Sequence, residues 1–335
     1  MSARAALILI VLLAALGGGA LLYQQQERAR RPANAASLGQ PLLKGLKASD
    51  IASIRIVEPG ATLTLKRTEA SWVIAERADF PADVAKVREL ALKLLELKVG
   101  QSEPIGEADR ARLALDASGT RVELADAAGK ALASLSVGNK YFKREVENPA
   151  KALGDGRFVQ LPADPKTVYT VADPLLLATA KTAEWIDRTS FKVEKVKALE
   201  VRFTDGAAWK IERSGDNADW KLAGARAGEK LEVTRANAAS YSLSLLELAD
   251  IAPAGAGNTG LDKPILVNAS TLDGRSYAIK VGRLEGDNYY VSFTADKPAE
   301  REALLAKHVL LIPKSRLEDT LKPRAELLEK KPAKK

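Results

Sequence analysis

Residues 63–97, LTLKRTEASWVIAERADFPADVAKVRELALKLLEL, are echoed from residue 209 onward, and the echo limits what the chain can fold into. Leu65-Lys66-Arg67 is answered by Ile211-Glu212-Arg213, Trp72 by Trp220, and Leu94-Leu95-Glu96-Leu97 by the identical Leu245-Leu246-Glu247-Leu248. The offset drifts from 146 through 148 to 151, as small loop changes between two copies produce. Val137-Gly138 likewise falls on Val281-Gly282, and Arg157 to Gln160 on Asn288 to Val291. A shared order of this length points to duplication, so both halves must fold alike.

Within a copy the hydropathy period is first two and then three to four. Ile54 and Ile56, the turn Glu58-Pro59-Gly60, and Leu63-Thr64-Leu65-Lys66-Arg67 read as a hairpin, followed by a short strand at Trp72-Val73-Ile74. Phe80-Pro81-Ala82 stops the sheet and Asp83 caps a helix, its carboxylate accepting from the first free N–H groups. Val84, Val87, Leu90, Ala91, Leu94 and Leu97 form its apolar stripe, with Lys86, Arg88, Glu89, Lys93 and Glu96 opposite. Thr234 takes the capping place in the second copy, and Leu245 and Leu248 take the places of Leu94 and Leu97. Trp72 and Trp220 are assigned to the core, pinning sheet to helix. Val171 to Arg188, with Asp173-Pro174 as an opening, reads as a connecting helix.

The fold class is α+β: two tandem repeats, each a mostly antiparallel sheet with one amphipathic helix packed on it, after an N-terminal transmembrane helix. Residues 1–23 are the anchor, 24–49 a polar tether, 50–190 the first repeat with its connecting helix, 191–315 the second repeat, and 316–335 a basic tail. The anchor is Ala5 to Tyr23, 19 residues without a charge. At about 1.5 Å per residue it nearly matches a hydrocarbon core of about 30 Å. Ala33-Asn34-Ala35 lies too far downstream, beyond Arg28, Arg30 and Arg31, to act as a cleavage site, so the segment reads as uncleaved. Arg4 before it and three arginines after it leave the orientation open.

Little in the sequence points to a reaction. The net charge of +8 is spread over 51 basic and 43 acidic side chains, with 5% aromatics, so no nucleic-acid surface is expected. There is no cysteine, hence no thiolate nucleophile and no sulfur-based metal site. His308 is the single histidine and reads as a packed strand residue. Gly255-Ala256-Gly257-Asn258-Thr259-Gly260 matches the dinucleotide fingerprint in letters, but it follows a helix end and runs into Pro264, so it reads as a loop. Glu285, Asp287 and Asp296 lack the alternating ligands of a calcium loop. No catalytic, cofactor-binding or metal residue is assigned, and no cofactor is expected. Function is expected where the copies differ, in the insertion from Asn139 to Gly156 and the loop at 255–260.

The hairpin before Trp72, the Phe80-Pro81-Ala82-Asp83 helix start, the helix ending in Leu94 to Leu97, the turn Leu261-Asp262-Lys263-Pro264, and Val137-Gly138 with its echo resemble the domain of unknown function 4340 family. The resemblance covers residues 50–315, and Leu115-Asp116-Ala117-Ser118 departs from it in lacking the proline of the turn. It implies a bacterial inner-membrane, single-pass protein with its body in the periplasm, often encoded near ABC-type exporters related to gliding-motility transporters. On that basis the expected role is a non-enzymatic accessory or binding subunit, its partners the permease and ATPase components of an ABC-type export system. The alternatives are a self-associating envelope scaffold and, with no nucleophile and base apparent, an envelope enzyme.

Overall fold

The computed structural model describes residues 37–329. The apolar segment at 5–23, the part of the expected tether up to residue 36 and the lysines from 330 onward lie outside the described residues. The rest of the expected tether, 37–49, is packed rather than loose: Leu42 and Leu43 are buried, and the Leu42 N–H donates to the Leu97 carbonyl at 2.8 Å. Among the described residues no helix is long and apolar enough to cross a membrane.

In chain order the elements are β1 (Ser53–Glu58), β2 (Ala61–Arg67), β3 (Trp72–Ile74), β4 (Phe80–Pro81), α1 (Val84–Glu96), β5 (Gln101–Pro104), α2 (Glu107–Arg112), β6 (Thr120–Ala125), β7 (Ala131–Tyr141), β8 (Gly156–Gln160) and β9 (Thr167–Val171). They continue with β10 (Val196–Arg202), β11 (Ala208–Glu212), β12 (Lys221–Leu222), α3 (Val233–Tyr241), β13 (Asp250–Ile251), β14 (Ile265–Thr271), β15 (Ser276–Glu285), β16 (Asn288–Ala295), α4 (Glu300–Leu305), β17 (Leu310–Pro313) and α5 (Lys314–Leu317). The protein is α+β, mostly antiparallel sheet with few and short helices.

Of the described residues, 37–62 and 88–180 form one compact unit and 63–87 with 181–329 a second. The first unit carries six strands in the order β1-β6-β7-β8-β9-β5, all antiparallel. Ile54, Ile56, Val122, Leu124, Leu135, Val137 and Val159 alternate along four of them into the core, each such side chain worth roughly 1.5–3 kcal/mol on full burial. The second unit carries the eight-stranded order β12-β11-β10-β14-β15-β16-β17-β13 and the short run β2-β3-β4.

The order β1-β6-β7-β8-β9-β5 recurs as β10-β14-β15-β16-β17-β13. Registers recur with it: Leu65 faces Ile74 where Ile211 faces Leu222. The chain entering each helix is held alike, the Asp83 N–H donating to the Trp185 carbonyl and the Glu232 N–H to that of Leu327.

The helix start is as the sequence indicates. Asp83 Oδ1 accepts from the N–H groups of Ala85 at 3.0 Å and Lys86 at 3.3 Å. In the second helix the cap is Glu232 rather than Thr234, whose N–H donates to the Glu232 carboxylate at 3.1 Å. Glu232 stands 149 residues after Asp83, and burial follows that offset. Val87, Leu90, Leu94 and Leu97 correspond to Ala236, Ala239, Leu243 and Leu246, all buried. The identical LLEL letters at offset 151 are therefore out of register. Leu248 is buried, as expected, but Leu245 is 44% exposed and does not replace Leu94.

α3 stops early because Ser240, Ser242 and Ser244 each donate a hydroxyl to the carbonyl three residues back. That competes with the helical ladder and tightens residues 242–244 into a 3₁₀ turn.

Three further expectations are corrected. The stretch Val171 to Arg188 forms no α-helix. The Leu175 N–H donates to Asp173 Oδ1 at 2.7 Å, and Leu175 then turns left-handed at φ 47, leaving a single 3₁₀ turn at Thr182–Glu184. The tail placed at 316–335 is folded as far as 329, since Leu317, Thr320 and Leu327 are buried and Trp209 Nε1 donates to the Lys322 carbonyl at 2.8 Å. Trp220 is a core residue, whereas Trp72, the first residue of β3, is half-buried.

Candidate functional site

The glycine pairs singled out in the sequence mark matching bends. β7 and β15 each shift register just after Val137 and Val281. A carbonyl is tucked against the glycine that follows: Leu113 O accepts from the Asn139 N–H and Thr259 O from the Arg283 N–H, both at 2.8 Å. A Cβ at Gly138 or Gly282 would stand 2.2 or 2.3 Å from that carbonyl. The segment supplying the carbonyl is where the two halves part. The second half has the glycine loop, which exits through Gly260 at φ 70; the first has helix α2, which exits through Ala114 at φ 52.

α2 roofs a pocket in the first unit. Its acidic residues Glu107 and Asp109 lie in the first turn and Arg110 and Arg112 in the last, which suits the helix dipole. After the left-handed Ala114, the Leu115 N–H donates back to Arg110 O at 2.8 Å. Asp116 Oδ1 accepts from the Ser118 N–H at 3.0 Å and its hydroxyl at 2.6 Å, and those two donors hold the Asp116 carboxyl below its ordinary pKa. The floor is one row across four strands: Val57 faces Arg121, Arg121 faces Ser136, and Ser136 faces Gln160. Residues directly opposite each other in an antiparallel sheet share a face. Gln160 is 3% exposed and its amide donates to the Pro165 carbonyl at 3.1 Å, which fixes the wall that Pro162 and Pro165 make. The enclosed volume is about 590 Å³, within the roughly 300–1,000 Å³ of small-molecule sites.

The charges of this pocket are unevenly satisfied. Arg121 Nε lies 3.2 Å from Glu123, whose other oxygen takes Arg55 at 2.9 Å. Glu58 Oε2 accepts from the Ala180 N–H at 3.1 Å. Arg110 is different: its nearest carboxylate, Glu107, is 3.8 Å away and 95% exposed, and its own Nε is buried without a hydrogen-bond partner. An ion pair that open is worth little. At the corresponding row of the second half stand Arg202, Leu266, Lys280 and Ser292, so the chemistry there differs; the pairing puts Ser292, one residue beyond the Val291 that the sequence echo indicates, at the place of Gln160. A cavity of about 670 Å³ in the second unit, between residues 192–196 and α3, also holds an arginine. That one is engaged, Arg213 donating to the Val196 and Asp216 carbonyls and pairing with the Asp216 carboxylate.

Sequence reasoning missed Arg110, Arg121 and Gln160. The glycine loop it favoured is a turn closed by the Gly260 N–H donating to Asn258 Oδ1 at 3.2 Å. In the insertion after Asn139, Lys140 extends β7, and its ammonium donates to the carbonyls of Ala150 at 2.9 Å and Ala152 at 2.6 Å, so this lysine shapes the loop. Glu285 is taken by Arg283 and the Tyr290 hydroxyl, and Asp296 by the Ser276 N–H.

His308 sits in the bend after α4 and not in a strand, its ring edge-on to Phe80 with centroids 5.1 Å apart. Burial, helped by neighbouring Lys307, lowers its pKa. A lowered folded-state value means the unfolded chain binds the proton first, so this contribution to stability is present above the ordinary imidazole range near 6.5 and is lost as pH falls below it. NMR titration of the single imidazole is expected to give a midpoint below that of a histidine peptide; an equal or higher midpoint would show the ring to be solvated.

An antiparallel α+β protein with a pocket of mixed charge roofed by a short helix is the class these features define. The chain belongs to the family described as domain of unknown function (DUF4340), whose model matches residues 72–264, more than half of its length. No curated protein and no solved structure matches it.

Proposed function

We propose that the protein is a non-enzymatic, membrane-tethered binding subunit that serves an ABC-type export system from the periplasmic side. It is built of two tandem copies of one α+β unit, of which the first has been adapted for binding. The observation that carries this reading is the α2 pocket, lined by Arg110, whose Nε has no hydrogen-bond partner and whose carboxylate neighbours are an exposed Glu107 at 3.8 Å and Asp116, which it attracts across the pocket. Its occurrence at the point where the halves diverge is what duplication followed by specialisation produces. The uncharged run Ala5 to Tyr23 supports the tether, and the family resemblance supports the exporter as partner.

Gentle detergent extraction followed by affinity purification of the full chain is expected to recover a permease or its ATPase. Recovery of this chain alone would replace the reading with a self-associating scaffold. A reporter joined after Lys335 that is active only in the cytoplasm would overturn the periplasmic placement.

A further inference from the structure

We infer that the α2 pocket binds a monocarboxylate with a compact apolar body, its carboxylate taken by Arg110 and flanked by Arg121. The inference deepens the binding-subunit reading and rests on it.

Four features select that chemistry. A guanidinium offers a planar fork of donors that matches a carboxylate edge to edge, and the Arg110 fork has no closer acceptor than Glu107 at 3.8 Å. Its Nε is buried without a hydrogen-bond partner, so the terminal amino groups are the part of the fork left for an acid. The walls beside it are Val57, Leu115, Pro162 and Pro165, and the prolines present no N–H that would need to be matched. Glu58 and Asp116 also line the cavity, and their charges disfavour a dianion such as phosphate over a singly charged acid. Ser136 and Gln160 give the floor a polar character. A free small acid and the C-terminus of a peptide present the same group, and the probes below tell them apart.

The full chain in detergent is titrated calorimetrically with benzoate, with hexanoate, with N-acetyl-Leu-Leu bearing a free carboxylate, with its C-terminal amide, and with inorganic phosphate. At least one carboxylate is expected to bind saturably, the amide and phosphate at least about tenfold more weakly, a difference of about 1.4 kcal/mol. Tightest binding by benzoate or hexanoate identifies a free acid, and tightest binding by the dipeptide identifies a chain terminus. Arg110→Gln is expected to weaken the carboxylate at least about tenfold while Arg202→Gln, at the counterpart row, leaves it unchanged. Should Arg110→Gln fail to fold, as its melting curve would show, Arg110→Lys keeps the charge but loses the fork and is expected to weaken binding severalfold. Unchanged affinity in a folded Arg110 variant, phosphate binding as tightly as the acids, or no saturable carboxylate binding into the millimolar range would overturn the inference. Co-purification of exporter components with no carboxylate binding would sink this inference and spare the binding-subunit reading; the opposite pair of results would do the reverse.

Discussion

Trp220→Ala is expected to destabilise the protein by about 3–5 kcal/mol, the range of large aromatic truncations in a core. Trp220 is 5% exposed and sits just before β12, where it closes three connections at once. Its indole N–H donates to Asn237 Oδ1 at 2.8 Å, tying this edge of the sheet to α3. Its ring lies 4.7 Å beneath the Arg213 guanidinium, a contact worth about 0.5–1 kcal/mol where exposed and more when desolvated. Arg213 in turn donates to the Val196 carbonyl at 2.7 Å, at the start of β10. Alanine opens a cavity and strands the Asn237 amide oxygen, so transfer, cavity and hydrogen-bond losses add. Trp220→Phe keeps most of the volume and is expected to cost less than half as much. Urea unfolding followed by circular dichroism reads both, and a Trp220→Ala midpoint indistinguishable from wild type would mean the ring is free of the core. Trp72→Ala is the internal comparison: its side chain is half-buried, so its cost should be the smaller of the two.

These two tryptophans show how far the sequence carries the fold. The alternation of Ile54 with Ile56 and of Leu63 with Leu65 is enforced by burying one face of a sheet, so it is readable locally. Asp83 is readable for a similar reason, because a helix start must satisfy its first N–H groups with something nearby. The LLEL register was misread because identical letters are a weaker constraint than burial. Leu243 and Leu246 occupy the buried places, and the three serines that shorten α3 leave the identical letters in the following extended segment. The connecting helix failed on one residue: nothing in three consecutive leucines announces that Leu175 will be left-handed. The pocket was hidden for a different reason. Its floor joins Val57, Arg121, Ser136 and Gln160, which become neighbours only once β1, β6, β7 and β8 pair in register. A lone arginine in a chain with 51 basic residues carries no mark of lacking a partner. The sequence did locate the point where the two halves differ, since the glycine loop stands at the place that α2 takes in the first half.

The second large effect is expected at Asp250. Its carboxylate receives the fork of Arg77, Nε at 3.1 Å and Nη2 at 2.8 Å, together with the Thr182 hydroxyl at 2.5 Å and its neighbour's N–H from Ile251 at 2.8 Å. Thr182 also accepts from Arg77 at 2.6 Å, which completes a closed network, and each charged side chain is only 16% exposed. The network fastens residues 63–87 to the later part of the second unit, and it is one reason this early segment belongs there. Asp250→Ala leaves a guanidinium largely out of water with a hydroxyl as its main partner, and the loss is expected to be about 3–5 kcal/mol. The pair as a whole should be worth far less than that figure, because desolvating two charges offsets most of their attraction. Arg77→Met combined with Asp250→Leu is therefore expected to unfold at a higher urea concentration than Asp250→Ala alone. If the double variant were the less stable one, the network would be a net source of stability rather than a device that fixes where the segment docks. If Asp250→Ala cost less than about 1 kcal/mol, Arg77 would have to find water or another acceptor on losing its partner, and residues 63–87 would be held by the burial of Phe80 and Ile74 instead.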